Sequence, residues 1–469
     1  MKEEAYDLVI IGAGSGGLIA AGFAARLGAK VALVEKHRIG GDCTWTGCVP
    51  SKALLRAAKV AHEVRTASHY GVGTNPPVVD MGRVREYVRG AIQRVYQFES
   101  PEELQRQGVD VIIGGARFLD SRTIAVGERT IRSKTFLLTT GARPAIPPIA
   151  GLNEVPFLTY EQIFDNDRLP RAMVVVGGGP IGAEMAQAYQ RLGASVSVVA
   201  PRLLPKEEPE AREVMQRVLE REGIRFVPGR AASARKDGDD IVIATDREEA
   251  RGDLLLVASG RRPTVEGLDL EKAGVAYSEK GVPVDDQLRT NQKNIYAAGD
   301  VLGGYQFTHF AGWQAFQAVR NALLPGSSSG LTDLVPWTTF TDPEVAHVGP
   351  TEAQAREKFG NNVKVCRWEM GRTDRAICEN DTDGFIKVIA KKDGTILAAT
   401  IISGRAGETI TEFIVAIKQN LKVADLAGTI HAYPTYSTAV QQLAADMAIE
   451  NILSGVSGSI VRGLSKIIR

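Results

Sequence analysis

Short apolar runs and helical patterns alternate along the first part of the chain, and one arrangement of them occurs twice. The run at residues 6–11 precedes an alanine-rich helical stretch and a second apolar run that ends at Glu35. The same order of strand, helix and strand returns at residues 171–202. Continuous apolar runs that alternate with helices are typical of parallel strands covered by helices on both faces. The pattern predicts an α/β fold with two separate parallel sheets.

The pattern changes after residues 325–330, PGSSSG, whose composition marks a boundary. Strand-like and helical segments then follow at 337–349, 384–402, 408–420 and 438–453. We expect a mixed α+β domain there that serves as an interface. The basic end of the chain, 458–469, is predicted to be a terminal helix that is solvated or packed on a partner, rather than a membrane anchor.

A glycine fingerprint of the form G-x-G-x-x-G follows the first apolar run, at Gly12, Gly14 and Gly17. Glycines at these positions permit a tight turn, the approach of a pyrophosphate to a helix N-terminus, and close packing of helix on strand. Glu35, at the end of the next strand, can accept a hydrogen bond from a ribose hydroxyl. The glycines alone would be weak evidence, but the strand, helix and acid around them indicate a dinucleotide site.

The same spacing occurs a second time, at Gly177, Gly179 and Gly182. A second dinucleotide is therefore predicted. After its second strand, Ala200 replaces the acid, and Arg202 and Lys206 follow. A 2′-phosphate needs a cation and repels a carboxylate, so this position favours NADPH over NADH. Glu207 and Glu208 lie nearby, and surface arginines are common, so NADH remains the alternative.

Two of the four cysteines, Cys43 and Cys48, lie together in the segment 40–52, GGDCTWTGCVPSK. A zinc site would need two further ligands, and the sequence offers no second pair of Cys or His at zinc spacing. Five positions along an ideal helix separate Cα atoms by about 8.6 Å, whereas a disulfide needs about 4.4–6.8 Å. The backbone must leave ideal helix here, which Gly47 permits, and Pro50 suits the first turn of a new helix. The spacing alone leaves two interpretations open, a redox-active dithiol and two buried thiols that never pair.

Composition narrows the class of protein and its setting. The chain has 469 residues, 44% of them hydrophobic, and a formal net charge of +1, so several domains with ample cores are expected. This charge balance does not favour nucleic acid, and the apolar runs are far shorter than a membrane span of about 20 residues. The acidic start lacks the pattern of a signal peptide, so we expect a cytoplasmic protein, where a reversible disulfide is usually catalytic. Cys366 and Cys378 are expected to be ordinary thiols, and no metal site is predicted.

Three further strands end in turns that suit the crevice of a nucleotide domain. Thr140 and Gly141 follow one such strand, Gly260 follows another, and Asp300 ends the segment NIYAAGDV. An aspartate at the carboxyl end of a strand can accept a hydrogen bond from a polyol hydroxyl of a cofactor. The alternative for Asp300 is a plain turn aspartate.

These segments, in this order, give the chain a resemblance to a known family. They are VIIGAGSGG, GGDCTWTGCVPSK, TTGARP, VVVGGGPIGAE, ASGRRP, IYAAGDV and FTDPEVAHVG. Nearly the whole chain resembles the FAD-dependent pyridine nucleotide-disulfide oxidoreductases, in the branch of dihydrolipoamide dehydrogenase and mercuric reductase. The resemblance implies a homodimer with two Rossmann-like dinucleotide-binding domains and a C-terminal α+β dimerisation domain. It also implies hydride transfer from a nicotinamide cofactor through FAD to a Cys43–Cys48 disulfide.

The resemblance further implies domain bounds and residue roles. The expected domains are 1–149 with 266–334 for FAD, 150–265 for NAD(P), and 335–469 for dimerisation. Cys43 is similar to the exchange thiol that meets the acceptor, and Cys48 to the charge-transfer thiol against the flavin. Lys52 and Glu184 match an ion pair near flavin and nicotinamide, whose ammonium favours anionic flavin and thiolate. The other expected contacts are Gly12, Gly14, Gly17, Glu35, Lys52, Ala116, Thr140, Gly141, Asp300, Thr308 and Ala311 for FAD, and Gly177, Gly179, Gly182, Arg202 and Gly260 for NAD(P).

One segment departs from the family pattern and governs the expected reaction. Lipoamide and glutathione enzymes carry H-P-T-x-S-E there, with a His general base held by a Glu. Here Tyr433 stands at the base position and Thr438 at the Glu position, while His431 matches a residue two before the base. A His with a pKa of about 6.5 can shuttle a proton to sulfur near neutral pH, whereas a Tyr at about 10 hardly can. Efficient lipoamide turnover is therefore not expected.

Mercuric reductases also lack this base and have an aromatic residue at its position, in agreement with Tyr433. They carry a vicinal cysteine pair near the C-terminus, whereas this chain ends in SKIIR, so dedicated mercury handling is not expected either. The resulting hypothesis is a mercuric reductase-like, NADPH-preferring flavoprotein that passes electrons to a metal ion, a quinone or another small acceptor. The alternatives are a dihydrolipoamide dehydrogenase or other low-molecular-weight disulfide reductase with a replaced base, and a redox-sensing flavoprotein that acts on a protein partner.

Overall fold

The computed structural model of the chain describes residues 4–453. Its strands are β1 (Glu4–Ile11), β2 (Val31–Glu35), β3 (Val109–Ile113), β4 (Ala116–Asp120), β5 (Thr123–Val126), β6 (Arg129–Leu138), β7 (Ala142–Pro144), β8 (Ala172–Val176), β9 (Ser195–Ala200), β10 (Arg225–Pro228), β11 (Ser233–Asp237), β12 (Asp240–Ala244), β13 (Glu249–Gly252), β14 (Leu254–Val257), β15 (Arg261–Pro263), β16 (Ile295–Ala297), β17 (Trp337–Thr339), β18 (Glu344–Val348), β19 (Val363–Glu369), β20 (Phe385–Lys391) and β21 (Ile396–Ser403). Its α-helices are α1 (Ser15–Arg26), α2 (Gly41–Trp45), α3 (Cys48–Thr66), α4 (Met81–Tyr96), α5 (Pro101–Arg106), α6 (Pro180–Leu192), α7 (Pro209–Arg221), α8 (Thr308–Leu323), α9 (Glu352–Phe359), α10 (Asp374–Cys378), α11 (Ala406–Lys418), α12 (Val423–Ala427) and α13 (Thr438–Leu453). Short 3₁₀ helices lie at Ala67–Tyr70, Leu152–Glu154, Ile163–Asp165, Gly299–Leu302, Gly360–Asn362 and Met370–Arg372.

The described residues fold as two compact units. The first contains the residues up to Pro201 together with Arg225–Thr332, and the second contains Arg202–Ile224 together with the residues from Asp333 onward. The division into three domains stays a prediction, and the terminal helix predicted at 458–469 lies outside the described residues. No helix between residues 4 and 453 is both long enough and apolar enough for a membrane crossing.

The first unit is built around a mainly parallel sheet with the order β3-β2-β1-β6-β5-β4, and β16 pairs with β6. β1 pairs in parallel with β2 and with β6, with Leu8 opposite Val31 and Val9 opposite Phe136. These strands are fully buried at residues such as Val9, where both faces are covered. The parallel arrangement predicted from the apolar runs is confirmed, while β4 and β5 add an antiparallel edge.

A second parallel sheet in the same unit has the order β10-β9-β8-β14. Its core contains Val174, Val199 and Val227, which are 0 to 1% exposed. α6 connects β8 to β9, which are parallel neighbours, so the second βαβ unit forms as the repeated pattern predicts. The α/β fold class with two Rossmann-like sheets is therefore confirmed.

The second unit contains an antiparallel sheet with the order β17-β18-β21-β20-β19. Helices α11 and α13 contribute Phe413 and Leu443 to the core over this sheet, beside Val388 of β20. The α+β class predicted for this part is confirmed. Two segments predicted as single strands, 337–349 and 384–402, each form a pair of antiparallel strands instead. Each segment has a turn signal at the reversal, Asp342-Pro343 in the first and Asp393-Gly394 in the second, which the interpretation as single strands did not use.

Candidate active site

A break between two helices positions the paired cysteines. α2 ends at Trp45 and α3 begins at Cys48, so the backbone leaves helical geometry between Cys43 and Cys48. Gly47 occupies the break, and a Cβ there would lie 2.7 Å from the backbone oxygen of Asp42. Any larger residue would push apart the turn that brings the two cysteines together.

Cys43 and Cys48 are free thiols in the structure and are hydrogen-bonded to each other. This bond lowers the pKa of Cys48 to about 6 against the effect of desolvation, with further help from Thr308 and the Lys52 ammonium. The same bond, together with burial, raises the pKa of Cys43. The Cys48 sulfur lies 3.2 Å from Thr308 Oγ1 at the start of α8. Near neutral pH, Cys48 is therefore the thiolate and Cys43 the thiol that donates to it.

An ion pair joins the helix of Cys48 to α6, the helix that follows the second fingerprint. Lys52 Nζ lies 3.0 and 3.2 Å from the two carboxylate oxygens of Glu184. Lys52 follows Cys48 by one turn of α3, and Glu184 lies on α6. The Glu184 side chain is 7% exposed and that of Lys52 37%, so the carboxylate end is shielded from water while the ammonium remains accessible.

The first fingerprint forms a close turn between β1 and α1. Gly12 has a φ of +105°, and a Cβ on it would lie 2.4 Å from the Thr139 oxygen. A Cβ on Gly17 would lie 1.9 Å from the Gly12 oxygen, so this approach of helix to turn requires glycine. A Cβ on Gly14 would meet nothing closer than 3.9 Å, and α1 begins without a side-chain cap. The N-terminus of α1, which has no side-chain cap, therefore suits an anion such as a pyrophosphate.

Glu35 is fixed beside this turn. Its two carboxylate oxygens accept the backbone N–H groups of Ala13 and His37, each at 2.8 Å. Each oxygen has a second lone pair, so the carboxylate can still accept a ribose hydroxyl.

The second fingerprint repeats the geometry of the first. A Cβ on Gly177, whose φ is +128°, would lie 2.4 Å from the Ala258 oxygen, and one on Gly182 would lie 2.0 Å from the Gly177 oxygen. A Cβ on Gly179 would have nothing within 4 Å, and α6 also begins without a side-chain cap. A second phosphate-binding turn of the same shape therefore lies at the start of α6.

A largely buried arginine links the redox helices to Asp300. Arg261 Nη2 donates to Asp42 at 2.6 Å and to Asp300 at 3.0 Å, and its side chain is 19% exposed. Its guanidinium carbon lies 4.9 Å from the centre of the Tyr160 ring, and the Tyr160 hydroxyl donates to Asp42 at 3.2 Å. Burial raises the pKa of Asp300, although Arg261 opposes this effect. Arg261 Nε is buried and has no hydrogen-bond partner among the described residues, so a donor remains for an oxygen beside Asp300.

The other residues assigned from the resemblance lie around these elements. Ala116 begins β4 and is buried, and Thr140 Oγ1 donates to the Thr264 oxygen at 2.7 Å. Gly141 and Gly260 have φ values of +69° and +145°. Ala311 lies on α8, where a Cβ on Gly299 would come within 2.8 Å of its side chain, and Arg202 is exposed. Of these residues, Arg202 belongs to the second unit.

In the second unit, Tyr433 is 69% exposed and donates from its hydroxyl to Asp374 at 2.7 Å. This hydrogen bond raises the pKa of Tyr433. Nearby in sequence, His431 Nε2 lies 2.9 and 3.1 Å from the two oxygens of Glu412 on α11, and Nδ1 lies 3.0 Å from the Thr429 oxygen. Both ring nitrogens of His431 lie within hydrogen-bonding distance of an oxygen. A His–Glu pair therefore exists here, but not at the positions of the family dyad.

The sequence does not single out Asp42, Tyr160, Arg261 or Glu412. Asp42 and Arg261 lie inside the segments GGDCTWTGC and ASGRRP, so their position within the motifs was a usable signal. Tyr160 and Glu412 have no such signal, because the contacts that involve them join distant parts of the chain, such as Tyr160 with Asp42, 118 positions apart.

Two glycine-fingerprint sheets and a thiolate–thiol pair in the same unit define a dinucleotide-dependent dithiol oxidoreductase. Comparison with known families agrees. The model described as "Pyridine nucleotide-disulphide oxidoreductase" matches residues 6–315, and that of the corresponding dimerisation domain matches residues 335–444. The chain belongs to the pyridine nucleotide-disulphide oxidoreductases, which are FAD-dependent flavoproteins that use NAD(P)H.

The relatives belong to more than one substrate class. A mercuric reductase from Staphylococcus aureus is 35% identical over 445 residues, covering 92% of this chain and 81% of that protein. A dihydrolipoyl dehydrogenase from Haloferax volcanii is 35% identical over 458 residues, covering 93% of this chain and 95% of that protein. Among solved structures, the HOCl-induced flavoprotein disulfide reductase RclA from Escherichia coli superposes with a TM-score of 0.85 at 27% identity, covering 94% of this chain and 99% of that one. Equal identity to two kinds of enzyme leaves the acceptor to be argued from the site.

The residues of the first unit fit the FAD that this family uses. A Cβ on Gly14 would meet nothing closer than 3.9 Å, and α1 begins there without a side-chain cap, so a pyrophosphate suits the helix dipole at this turn. The buried, unpartnered Nε of Arg261 offers a donor beside Asp300.

Proposed function

We propose that this chain is a homodimeric, cytoplasmic flavoprotein that passes electrons from NAD(P)H through Cys43 and Cys48 to a metal ion, a quinone or another small acceptor. The main support for the proposal is the charge state of each of the two thiols. With a pKa of about 6, Cys48 is a thiolate at neutral pH, and Cys43 keeps its proton. A thiolate of this kind is reactive towards redox partners, whereas a structural buried thiol is inert. A reversible dithiol is also the use of cysteine that a reducing cytoplasm permits.

The residues of the first unit have distinct tasks in this proposal. FAD, when bound, supplies hydride transfer between nicotinamide and the cysteine pair. We assign its pyrophosphate to the turn of Gly12, Gly14 and Gly17, and its ribityl chain to Asp300. Lys52 holds a positive charge near the Cys48 thiolate and is itself kept in place by Glu184. Thr308 donates its hydroxyl proton towards the same thiolate.

Proton handling favours such acceptors over a substrate disulfide. Attack on a disulfide needs the Cys43 thiolate, and the raised pKa of Cys43 makes that form scarce unless a general base removes the proton. Tyr433 stands at the position of that base, and its hydrogen bond to Asp374 raises its pKa further from neutrality. A thiophilic metal ion displaces the thiol proton on binding and needs no base.

The names of the relatives support a metal ion as one acceptor. The chain covers 81% of the mercuric reductase from Staphylococcus aureus at 35% identity. A Cu(II) complex of RclA has also been solved, and it superposes on this chain with a TM-score of 0.85 at 27% identity.

We further propose that NADPH is preferred over NADH. Ala200 ends β9 without an acid, and Arg202 and Lys206 that follow are exposed. The two acids that could oppose a 2′-phosphate, Glu207 and Glu208, are 5% and 2% exposed and are engaged by Trp337 and Lys387. The positive side chains therefore face solvent while the negative ones are buried.

The second candidate is a dihydrolipoamide dehydrogenase or another low-molecular-weight disulfide reductase. The contact between His431 and Glu412 favours it, since a histidine held by a glutamate is what the family uses as its base. Both nitrogens of His431 are already engaged, and the ring would have to leave Glu412 or Thr429 to take up a proton from a thiol. We therefore rank this candidate second.

Steady-state kinetics on the purified holoenzyme distinguish the two candidates. NADPH and NADH are compared with lipoamide, oxidised glutathione, Hg(II), Cu(II) and duroquinone as acceptors. Metal or quinone reduction with negligible lipoamide turnover supports the proposal, whereas brisk lipoamide turnover that is lost in His431→Gln supports the second candidate. Cys48→Ser should abolish the thiolate-to-flavin absorption band on reduction, while Cys378→Ser, at an exposed cysteine, should leave that band intact.

A further inference from the structure

A shielded aspartate lies directly before Cys43 on α2. Asp42 Oδ2 accepts hydrogen bonds from Arg261 at 2.6 Å and from the Tyr160 hydroxyl at 3.2 Å. The two donors lie 219 and 118 positions away along the chain, so both contacts depend on the tertiary fold. The side chains of Asp42 and Arg261 are 33% and 19% exposed, and Tyr160 is 3% exposed. The first turn of α2 is therefore held by groups that are largely shielded from water.

Helix chemistry alone does not account for this aspartate. A carboxylate in the first turn of a helix can gain from the helix dipole, in which the dipoles of aligned peptide groups add up. α2 has only five residues, Gly41–Trp45, so few dipoles add up there. The Asp42 carboxylate also caps no backbone N–H at the start of α2, and it accepts instead from two donors outside the helix. These contacts indicate that the side chain places α2 rather than stabilising it locally.

The main chain of the same residue closes the turn that contains Cys43. The Asp42 oxygen accepts the Thr46 N–H at 2.9 Å. A Cβ on Gly47 would lie 2.7 Å from that oxygen and 3.3 Å from the Cys43 Cα, so the break after α2 packs directly against this turn. A movement of Asp42 would therefore displace both Cys43 and the break that leads to Cys48.

We propose that Asp42 is a positioning residue, which keeps Cys43 within hydrogen-bonding distance of Cys48. The inference rests on the proposed function of the two cysteines and is independent of the acceptor. The charge of Asp42 is not among the main influences on the pKa of either cysteine, so its effect passes through the backbone of α2.

α2 has a second side-chain contact that could place Cys43 instead. Thr44, on the other side of Cys43, donates its hydroxyl to Glu99 at 2.7 Å. Burial raises the pKa of Glu99 and so disfavours its charged form, and the hydroxyl is a neutral donor. Hydrogen bonds between charged groups are stronger than those between neutral ones. The contact between Asp42 and Arg261 is therefore the stronger of the two.

The pH dependence of Cys48 alkylation in the reduced holoenzyme tests the inference. The rate with iodoacetamide is followed on the Cys48 peptide by mass spectrometry between pH 5 and 10. We expect the midpoint to rise by about one pH unit or more in Asp42→Ala, because the hydrogen bond from Cys43 is weakened. A rise of one unit lowers the thiolate fraction at pH 6, and with it the rate, about fivefold. Asp42→Asn should show a smaller rise, since its amide oxygen can still accept from Arg261.

Asp253→Asn is the matched control, at another shielded aspartate of the same unit. Asp253 accepts a hydrogen bond from Arg168 at 2.7 Å, and its side chain is 14% exposed. This change removes a comparable contact that does not involve α2, so the Cys48 profile should match that of the wild type even where the protein is destabilised.

Tyr160→Phe is a milder variant that decides if Asp42→Ala retains no flavin. It removes only the hydroxyl that donates to Asp42 and keeps the ring beside Arg261. We expect a smaller rise of the Cys48 midpoint in the same direction. The thiolate-to-flavin absorption band gives a second readout, because the pH at which half of it is lost should rise together with the alkylation midpoint. Destabilisation alone would weaken the band without moving that pH.

Each remaining outcome has one meaning. Wild-type midpoints in both Asp42 variants and in Tyr160→Phe would overturn the inference while leaving the proposed function intact. A shift in Asp253→Asn as large as that in Asp42→Ala would also overturn it, since destabilisation alone would then explain the effect. A shift in Thr44→Val without one in Asp42→Ala would assign the positioning to the contact with Glu99. A wild-type midpoint near the ordinary thiol value of about 8.5 would instead overturn the charge state that supports the proposed function.

Discussion

At the scale of single residues, the charge on Cys48 depends on one neighbouring thiol more than on any other group. The hydrogen bond with Cys43 is the largest influence that lowers the pKa of Cys48 to about 6, ahead of Thr308 and Lys52. The family resemblance predicts the pair, whereas the spacing of the cysteines alone leaves two unpaired thiols as an alternative. The spacing does not predict the contact with Thr308, because that residue is 260 positions away in the sequence.

Replacing the donor should raise the pKa of Cys48. In Cys43→Ala the hydrogen bond is lost, and we expect the pKa to move from about 6 towards the ordinary thiol value of about 8.5. Cys43→Ser is the matched control, since its hydroxyl can still donate and should preserve much of the low pKa. The measurement is the rate of Cys48 alkylation by iodoacetamide between pH 5 and 10, followed on the Cys48 peptide by mass spectrometry. Identical profiles for the two variants would contradict the role of the hydrogen bond.

At the scale of elements, hydrogen bonds from Arg261 connect α2 to the turn that carries Asp300. Its hydrogen bond to Asp42 is 2.6 Å long, and the two side chains are 19% and 33% exposed. An ion pair of the same length joins Arg251 to Asp237, but there the side chains are 51% and 52% exposed. Exposed pairs contribute about 0–1 kcal/mol, whereas hydrogen bonds to shielded charges contribute about 1.5–3 kcal/mol.

Asp42→Asn should therefore destabilise the protein more than Asp237→Asn. The first change removes a shielded charge opposite Arg261, and we expect a loss of about 1.5–3 kcal/mol in the free energy of unfolding. The second change should alter the free energy of unfolding by less than about 1 kcal/mol. Urea unfolding of the holoenzymes, followed by flavin fluorescence as the cofactor is released, compares them directly. Equal shifts in the two midpoints would show that α2 does not depend on this contact.

The elements also show where sequence patterns stop being sufficient. Apolar runs predict β1, β2, β8 and β9, because strands buried on both faces are apolar throughout. The same rule treats 337–349 as one strand, although Asp342-Pro343 marks the reversal between β17 and β18. The glycine fingerprints predict their turns because a Cβ would strike the backbone there, as at Gly17. Arg261 and Tyr160 come together only through the tertiary fold.

At the scale of the whole molecule, a buried lysine forms ion pairs between two parts of the second unit that are far apart in the sequence. Lys387 of β20 is 3% exposed and lies 3.3 Å from Glu208, 2.9 Å from Glu210 and 2.8 Å from Glu352. Burial alone would lower the pKa of Lys387, but the carboxylates outweigh it and raise the pKa. Lys387 and Glu208 are 179 positions apart, so no local pattern predicts that residues 202–224 join this unit.

Removing the lysine charge should leave buried carboxylates uncompensated. We expect Lys387→Met to lower the free energy of unfolding of the second unit by about 3–5 kcal/mol. Lys392→Met is the control, because Lys392 is exposed just beyond the same strand. Thermal unfolding by circular dichroism compares the variants with the wild type. A loss no larger than that of the control would show that the cluster is not a stabilising contact.

A neighbouring acid should make the stability of this unit depend on pH. Burial raises the pKa of Glu207 from 4.5 to about 7, with a smaller push from Glu208, while the Trp337 indole donates to one of its oxygens at 2.6 Å. Between these two values the folded chain keeps a proton that the unfolded chain has released. The contribution of Glu207 to the free energy of unfolding is therefore complete below about pH 4.5. It is lost as the pH rises towards 7, by at most about 3 kcal/mol.

Glu207→Gln has no side chain that titrates at this position. We therefore expect its stability relative to the wild type to be higher at pH 8 than at pH 5, as measured by thermal melting. Glu213→Gln, at an exposed position on α7, should follow the wild type at every pH. Parallel melting curves for Glu207→Gln and the wild type would mean that Glu207 releases its proton at the ordinary pH despite its burial.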